Sequence, residues 1–368
     1  MTAAPAIRFG LENWVATAGA RWRGARLGLV AHGASRGADG QSAWERLAAA
    51  GCDLVCGFAP EHGWLGRLGA GETVGAARHP TLRIPIYSLY GADRRPRPEW
   101  LAGLAAVIYD LQDLPVRCYT YGSTLRYLME ACAAAGCAVI VADRPAPGAG
   151  WRDGPLLETD CESFVGCLPT PYHYGLTSGA LARLIKQHYG IKVELIVSPC
   201  TGCGPEWPNR IPWTPPSPGI RTVATAETYP VTVLAEALPL AYYGQGTPEV
   251  FQGIFLRGAQ GEALARRLPA QGWGYAWRPQ AVTNQQGERY AGIKLARLPG
   301  ATPRPARAAL AWLAALGEMF GPEALWNTPG ARPAFFDQLW GTTAVRRALE
   351  AREDPEAIAA AWNAGTPG

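Results

Sequence analysis

The sequence predicts an α/β protein: a parallel sheet with helices on both faces, followed by a smaller α+β domain. Three observations carry this. Over residues 1–150, apolar runs of strand length alternate with segments of helical spacing, the pattern of strands joined by right-handed crossovers. Each of those runs ends on polar or ionisable side chains. Residues 200–220 then hold too many prolines for a helix or a central strand, and read as an extended crossing into a region of different organisation.

The apolar runs start near Arg26 (Leu-Gly-Leu-Val-Ala31), at Cys52–Phe58, at Ile84–Tyr90, at Ala105–Asp110 and at Cys137–Asp143. Cys52–Phe58 is bounded by Gly51 and Pro60, as suits a strand covered on both faces. Helical spacing falls at Ser42–Ala50, Arg97–Leu104 and Ser123–Ala135. The layout is Rossmann-like. No G-x-G-x-x-G fingerprint follows the first run, where the chain reads Ala31-His-Gly-Ala-Ser-Arg-Gly-Ala38, and no Walker glycine loop occurs, which argues against a nucleotide. After a Gly- and Pro-rich loop through Trp151–Leu156, a helix is expected over Thr177–His188 and a strand over Lys192–Val197. The expected division is residues 1–200, a Rossmann-like catalytic domain, and 201–368, a smaller α+β domain closing the cleft. In the latter, Thr232–Leu234 and Gly292–Leu298 read as strands; Gly261–Leu268, Arg304–Phe320, Ala344–Arg352 and Pro355–Trp362 read as helices.

A chain of 368 residues suits roughly two domains. A net charge of +4 and a pI near 8.6, with no local concentration of Lys or Arg, argue against a nucleic-acid partner. Met1–Gly10 lacks a basic start followed by a long apolar core, and no apolar run approaches the roughly 20 residues of a membrane span, so a cytoplasmic protein is expected. Nine cysteines lie mostly inside apolar runs and read as small buried hydrophobes. Cys200-Thr-Gly-Cys203 has spacing that would suit zinc or a redox pair, but no second pair of ligands accompanies it. The 44 Gly, 32 Pro and 14 Trp are compatible with long ordered loops and carbohydrate binding; Trp207, Trp213, Tyr242 and Tyr243 are candidates to stack on a sugar, or equally to be core.

Chemistry concentrates at the strand ends, where ligands of open α/β sheets bind. The stretch Pro60-Glu61-His62-Gly63 closes the second run; the other ends carry His32 and Ser35, Ser88 and Tyr90, Asp110 with Gln112 and Asp113, and Asp143 with Arg144. Several carboxylates on one rim can supply one ionised group and one kept protonated, as acid/base hydrolysis needs. Each also has a plainer reading. Pro-Glu-His-Gly is an acceptable exposed turn, Asp110 and Asp113 can cap a helix or pair with Arg117, and Asp143-Arg144 can be a local ion pair. His173 and Tyr174 would line the rim or pack beneath a loop.

In order along the chain, Pro60-Glu-His-Gly63, Tyr87-Ser-Leu-Tyr-Gly91, Tyr109-Asp-Leu-Gln-Asp113 leading into Arg117-Cys-Tyr-Thr-Tyr121, Asp143-Arg-Pro145, Ser163-Phe-Val-Gly166, Trp213-Thr-Pro-Pro-Ser-Pro218, Gly244-Gln-Gly-Thr247 and Phe336-Asp-Gln-Leu339 together resemble the exo-β-N-acetylmuramidases of bacterial cell-wall recycling, the NamZ type, long catalogued as a domain of unknown function. The resemblance runs from about Leu27 to Trp362. It implies a Rossmann-like domain and a smaller α/β domain with the active-site cleft between them. It also implies removal of terminal N-acetylmuramic acid from the non-reducing end of peptidoglycan fragments, with Glu61 as the catalytic acid; carboxylate acid/base hydrolysis of this kind is expected to need no cofactor or metal. Asp110 or Asp113 would assist catalysis. His32, His62, Tyr90, Arg117, Tyr119, Tyr121, Asp143, Arg144, His173 and Glu236 would bind substrate. Three positions depart from the family pattern: Ala146 stands for an Asn, Ala180 for a Glu, and Gln245 for an Arg able to grip the lactyl carboxylate. A non-catalytic sugar- or muropeptide-binding protein on the same fold is the alternative.

Overall fold

A computed structural model of the chain describes residues 6–17, 19–204 and 207–363; residues 1–5, half of the stretch read for a leader, lie outside these. In chain order the strands are β1 (Arg26–Ala31), β2 (Asp53–Ala59), β3 (Ala77–Arg78), β4 (Pro85–Ser88), β5 (Ala106–Asp110), β6 (Ala138–Ala142), β7 (Asp153–Leu156), β8 (Pro171–His173) and β9 (Leu195–Ser198), followed by β10 (Gly253–Arg257), β11 (Gln271–Gly272), β12 (Tyr275–Thr283) and β13 (Arg289–Arg297). The chain divides into two compact units. The first comprises Met1–Pro115, Tyr119–Ala149 and Leu176–Arg221; the second comprises Val116–Cys118, Gly150–Gly175 and Thr222–Gly368.

The first unit holds a seven-stranded sheet in the order β3-β4-β2-β1-β5-β6-β9. All neighbours are parallel except the short edge strand β3. Taken in chain order, the six parallel strands lie third, second, first, fourth, fifth, sixth across the sheet, so the direction of winding reverses between β1 and β5, where a doubly wound sheet opens its ligand crevice. The central strands β5 and β6 are buried throughout, because helices cover both faces. Helices α1 (Gly10–Thr17) and α2 (Ala43–Ala49) bury Leu11, Trp14, Trp44 and Leu47 against Leu27, Leu29, Ile108 and Ile140. After the short α3 (Pro98–Leu101), α4 (Tyr121–Ala135) and α5 (Ser178–His188) cover the opposite face. Each fully buried Leu or Ile in such a core contributes about 1.5–3 kcal/mol.

Local chemistry explains the helix ends. Ser42 and Glu45 form a reciprocal capping box at the start of α2, and Gly136, at φ 72°, ends α4 in the left-handed conformation. Helix α1 starts against the ends of β6 and β9: Gly10 N–H donates to the Asp143 carbonyl at 2.8 Å, and a Cβ at residue 10 would stand 2.2 Å from Asp143 N. Only glycine fits there.

The second unit is smaller and mixed. Its antiparallel sheet runs β10-β13-β12-β11, with β7 and β8 forming a separate short pair, and α6 (Val223–Thr232), α7 (Ala259–Arg267) and α8 (Pro305–Phe320) packed around them. Thr232–Leu234, expected as a strand, is instead the end of α6 and the 3-10 turn that continues it over Val233–Ala237. The run of β-branched residues carries a strand preference that tertiary packing overrides, since Thr222 caps the helix and Thr228 and Thr232 both donate to the Phe251 carbonyl.

Candidate active site

The register of the sheet brings four strand ends to one rim. Val30 pairs with Phe58, Ala31 with Asp110, and Tyr109 with Val141. Glu61, His32, Asp110 and Asp143 therefore follow or close the neighbouring strands β2, β1, β5 and β6 at their carboxyl ends.

Glu61 is turned inward, with 7% of its surface exposed. Its Oε1 accepts the Gly71 N–H at 3.1 Å and its Oε2 accepts the Thr120 hydroxyl at 2.7 Å. Gly71 has φ 78°, a conformation that glycine adopts without penalty. Thr120 is the N-cap residue of α4, yet its side chain makes no cap bond; the helix forgoes a cap worth about 1 kcal/mol, and the hydroxyl serves Glu61 instead. The floor beside them is aromatic. Tyr119 and Tyr121 meet edge to face at 4.8 Å, and Tyr121 lies 5.2 Å from the His32 ring. Tyr121 donates to the Pro216 carbonyl at 2.9 Å. Burial holds both tyrosines well above the usual phenol range, and the Glu61 charge adds to the rise in each, so both stay protonated. The Asp113 charge adds to the rise at Tyr119 as well.

The two histidines present opposite faces to chemistry. His32 Nδ1 accepts the Ala34 N–H at 3.0 Å, which puts the ring proton on Nε2, a buried atom with no hydrogen-bond partner. Burial, reinforced by the Arg144 charge, lowers His32 to about 3; it is a neutral donor. His62 adopts φ 70°, a strained conformation for a residue with a side chain, of order 1–3 kcal/mol. Its Nδ1 lies 2.8 Å from the Leu68 carbonyl, which can only accept, so Nδ1 carries a proton and Nε2 is an acceptor whenever the ring is neutral.

The aspartates differ in what they are free to do. Asp110 is held by Arg144 at two points, 2.6 and 3.0 Å, and its carbonyl accepts from Ser35. Asp143 accepts the N–H groups of Arg144 and Gly179 and the Thr177 hydroxyl, fastening the start of α5 to the end of β6; burial raises its carboxyl despite those bonds. Asp113 accepts the Leu114 N–H at 2.9 Å. At the same rim, an open cavity of about 160 Å³ is lined by Gln112, Arg144, Phe9, Trp207 and Trp213 among others. Among the described residues, no group of three or more His, Cys, Asp or Glu comes together to hold a metal ion, and all nine cysteines are free thiols.

Other expected residues are placed differently. Arg117, His173 and Glu236 belong to the second unit. The Arg117 guanidinium, expected to orient a sugar, is taken up by the backbone carbonyls of Pro155, Thr170 and Trp340, and burial lowers it to about 10. His173 Nδ1 lies 3.0 Å from the Trp151 carbonyl, its ring stacks on Trp151, and burial lowers it to about 4. Glu236 is half-buried, and its carbonyl accepts from Arg332 at 2.6 Å. Tyr90 packs against the cluster of Ala59, Val74 and Ile86, with Arg94 over its ring. Thr120 and Gly71, which hold Glu61, were not expected: a Thr before a helix reads as an ordinary cap, and no local signal names a partner 59 residues away.

Family models of the exo-β-N-acetylmuramidase NamZ match this chain in both halves, the N-terminal one over residues 27–224 and the C-terminal one over residues 227–367. The chain belongs to the NamZ family. It is similar to the peptidoglycan β-N-acetylmuramidase NamZ of Bacillus subtilis (strain 168), with 33% identity over 259 residues, 68% of this chain and 61% of that protein. The matched part thus spans about three fifths of that curated relative's length. Two crystal structures of DUF1343 family proteins from Bacteroides fragilis share the fold. One gives a TM-score of 0.87 at 27% identity, covering 97% of this chain and 95% of the other; the second gives 0.71 at 22%, covering 98% and 95%. The parallel sheet and the smaller antiparallel unit are thus shared with the DUF1343 family structures. No helix among the described residues is long and apolar enough to cross a membrane.

Proposed function

We propose that this NamZ-family protein is an exo-acting glycosidase that removes a terminal amino sugar, N-acetylmuramic acid or a close analogue, from peptidoglycan fragments. The observation that carries the reading is the inward carboxyl of Glu61 at the carboxyl rim of the sheet, fixed through both oxygens. Glu61 passes a proton to the glycosidic oxygen as the bond to the anomeric carbon breaks and its electron pair leaves with the aglycone. Asp113, or the N-acetyl group of the substrate, meets the positive charge at the anomeric carbon. Water then adds there, and its proton returns to Glu61. Asp110 acts through Arg144, whose position it sets. The Nε2–H of His32, the Nε2 lone pair of His62 and the hydroxyls of Tyr119 and Tyr121 supply donors and acceptors to sugar hydroxyls, and Trp213 offers an aromatic wall. The natural setting of this chemistry is cytoplasmic recycling of cell-wall fragments, with a small muropeptide as partner.

Replacement of Glu61 by Gln keeps the shape of the side chain and removes the acidic proton. It is expected to cut hydrolysis of a chromogenic N-acetylmuramic acid glycoside by about 10²–10⁴-fold; a wild-type rate would remove Glu61 from the reaction. A second reading, a non-catalytic muropeptide-binding protein, is favoured by the departures at Ala146, Ala180 and Gln245. It requires a thermal-shift response to muropeptides without turnover, and measured turnover ends it.

A further inference from the structure

We propose that Thr120 is a positioning residue that sets the plane of the Glu61 carboxyl; this rests on the reading of Glu61 as the proton donor. The terminal torsion of a glutamate is broad and roughly two-fold, so an unaided carboxyl would present either oxygen over a wide arc. Here each oxygen has its own donor, Gly71 N–H on Oε1 and the Thr120 hydroxyl on Oε2, and two points on different atoms fix a plane. The Thr120 bond is the shorter, at 2.7 Å, and both residues are buried.

The geometry of Thr120 shows where its hydroxyl is directed. Its backbone already has helical angles, φ −69° and ψ −7°, and its carbonyl accepts the Thr124 N–H at 2.9 Å. A Thr at an N-cap ordinarily has an extended backbone and turns its oxygen back toward the first helical N–H groups; Thr177 does so on α5 and Thr222 on α6. At Thr120 that cap bond is absent, and the hydroxyl instead meets Glu61 on the loop after β2. Helix α4 thereby becomes the rigid support for a side chain carried by a loop, and a group held on a regular element is placed more closely than one held by its loop alone.

The test is steady-state hydrolysis of a chromogenic N-acetylmuramic acid glycoside by Thr120→Val, Thr120→Ser and Glu61→Gln, each checked for folding by thermal melt. Thr120→Val fills the same space without a donor and is expected to lower kcat by about tenfold to a hundredfold with KM within about twofold, the scale on which small misplacements act. Thr120→Ser restores the hydroxyl and is expected to recover most of kcat. A merely structural role would leave kcat per folded molecule unchanged in Thr120→Val, and that result overturns the proposal while Glu61→Gln remains inactive. An active Glu61→Gln overturns the assignment of Glu61, and the proposal with it. Should Thr120→Val not fold, Thr120→Cys, a near-isostere with a poor donor, replaces it with the same two outcomes.

Discussion

Arg144 closes on Asp110 in a two-point ion pair inside the protein, Nε to Oδ1 at 2.6 Å and Nη2 to Oδ2 at 3.0 Å, with the side chains 4% and 1% exposed. The pair sits beside the strand at which the winding of the sheet reverses, β5 contributing the acid and the turn after β6 the base. The two-point contact fixes the Arg144 guanidinium against Asp110. Removing one partner leaves the other charge buried without its counter-ion.

Asp110→Ala is therefore expected to lower stability by about 3–5 kcal/mol, and the double replacement Asp110→Leu with Arg144→Met to recover much of that loss. Urea unfolding of these two variants beside wild type checks both. A single variant as stable as wild type would show that the pair is solvated.

Acid should weaken the fold through its buried histidines. His32 is lowered to about 3 and His173 to about 4, both below the ordinary value near 6.5 of an unfolded chain. Between those limits the unfolded state binds more protons than the folded one, so stability falls as pH falls, by about 1.4 kcal/mol per pH unit for each histidine. The loss begins near pH 6.5 and is complete for His32 near pH 3. Urea midpoints from pH 7 to pH 4.5 should show this slope, and His32→Asn, which keeps an acceptor for the Ala34 N–H, should remove the His32 share and leave that of His173.

Arg117 separates a structural role from a binding one. Its guanidinium satisfies the carbonyls of Pro155, Thr170 and Trp340, and each buried acceptor left unpaired costs about 1–3 kcal/mol. Arg117→Met should lower stability by at least about 2 kcal/mol while KM of the folded fraction stays within twofold. A raised KM at unchanged stability would return Arg117 to the substrate.

Gln245 is exposed, so Gln245→Arg should change stability by no more than about 0.5 kcal/mol. If this position faces the lactyl carboxylate, the added cation should lower KM for a muramic acid glycoside and leave that for an N-acetylglucosamine glycoside unchanged. Equal effects on both would dissociate residue 245 from that carboxylate.

Much of the first unit was legible in the sequence. Cys52–Phe58, Ala105–Asp110 and Cys137–Asp143 foretold β2, β5 and β6 to within a residue or two, and Ser42–Ala50 foretold α2, because apolar periodicity is a signal a few residues long. The second unit was less legible. Strands β10 and β12 were not foreseen and Thr232–Leu234 was read as a strand, since short half-exposed segments carry weak periodicity and packing decides their state.

The sequence by itself determined that acidic and imidazole side chains would stand at the ends of parallel strands, because strand ends are set by local pattern and parallel order follows from alternation with helices. Only the tertiary structure decided which of them are spent and which are available. Asp110 meets Arg144 across 34 residues, Glu61 meets Thr120 across 59, and Arg117 reaches Trp340 across 223. A charge or hydroxyl is committed by whatever polar group comes within about 3 Å of it after folding, and no local pattern along the chain encodes that neighbour.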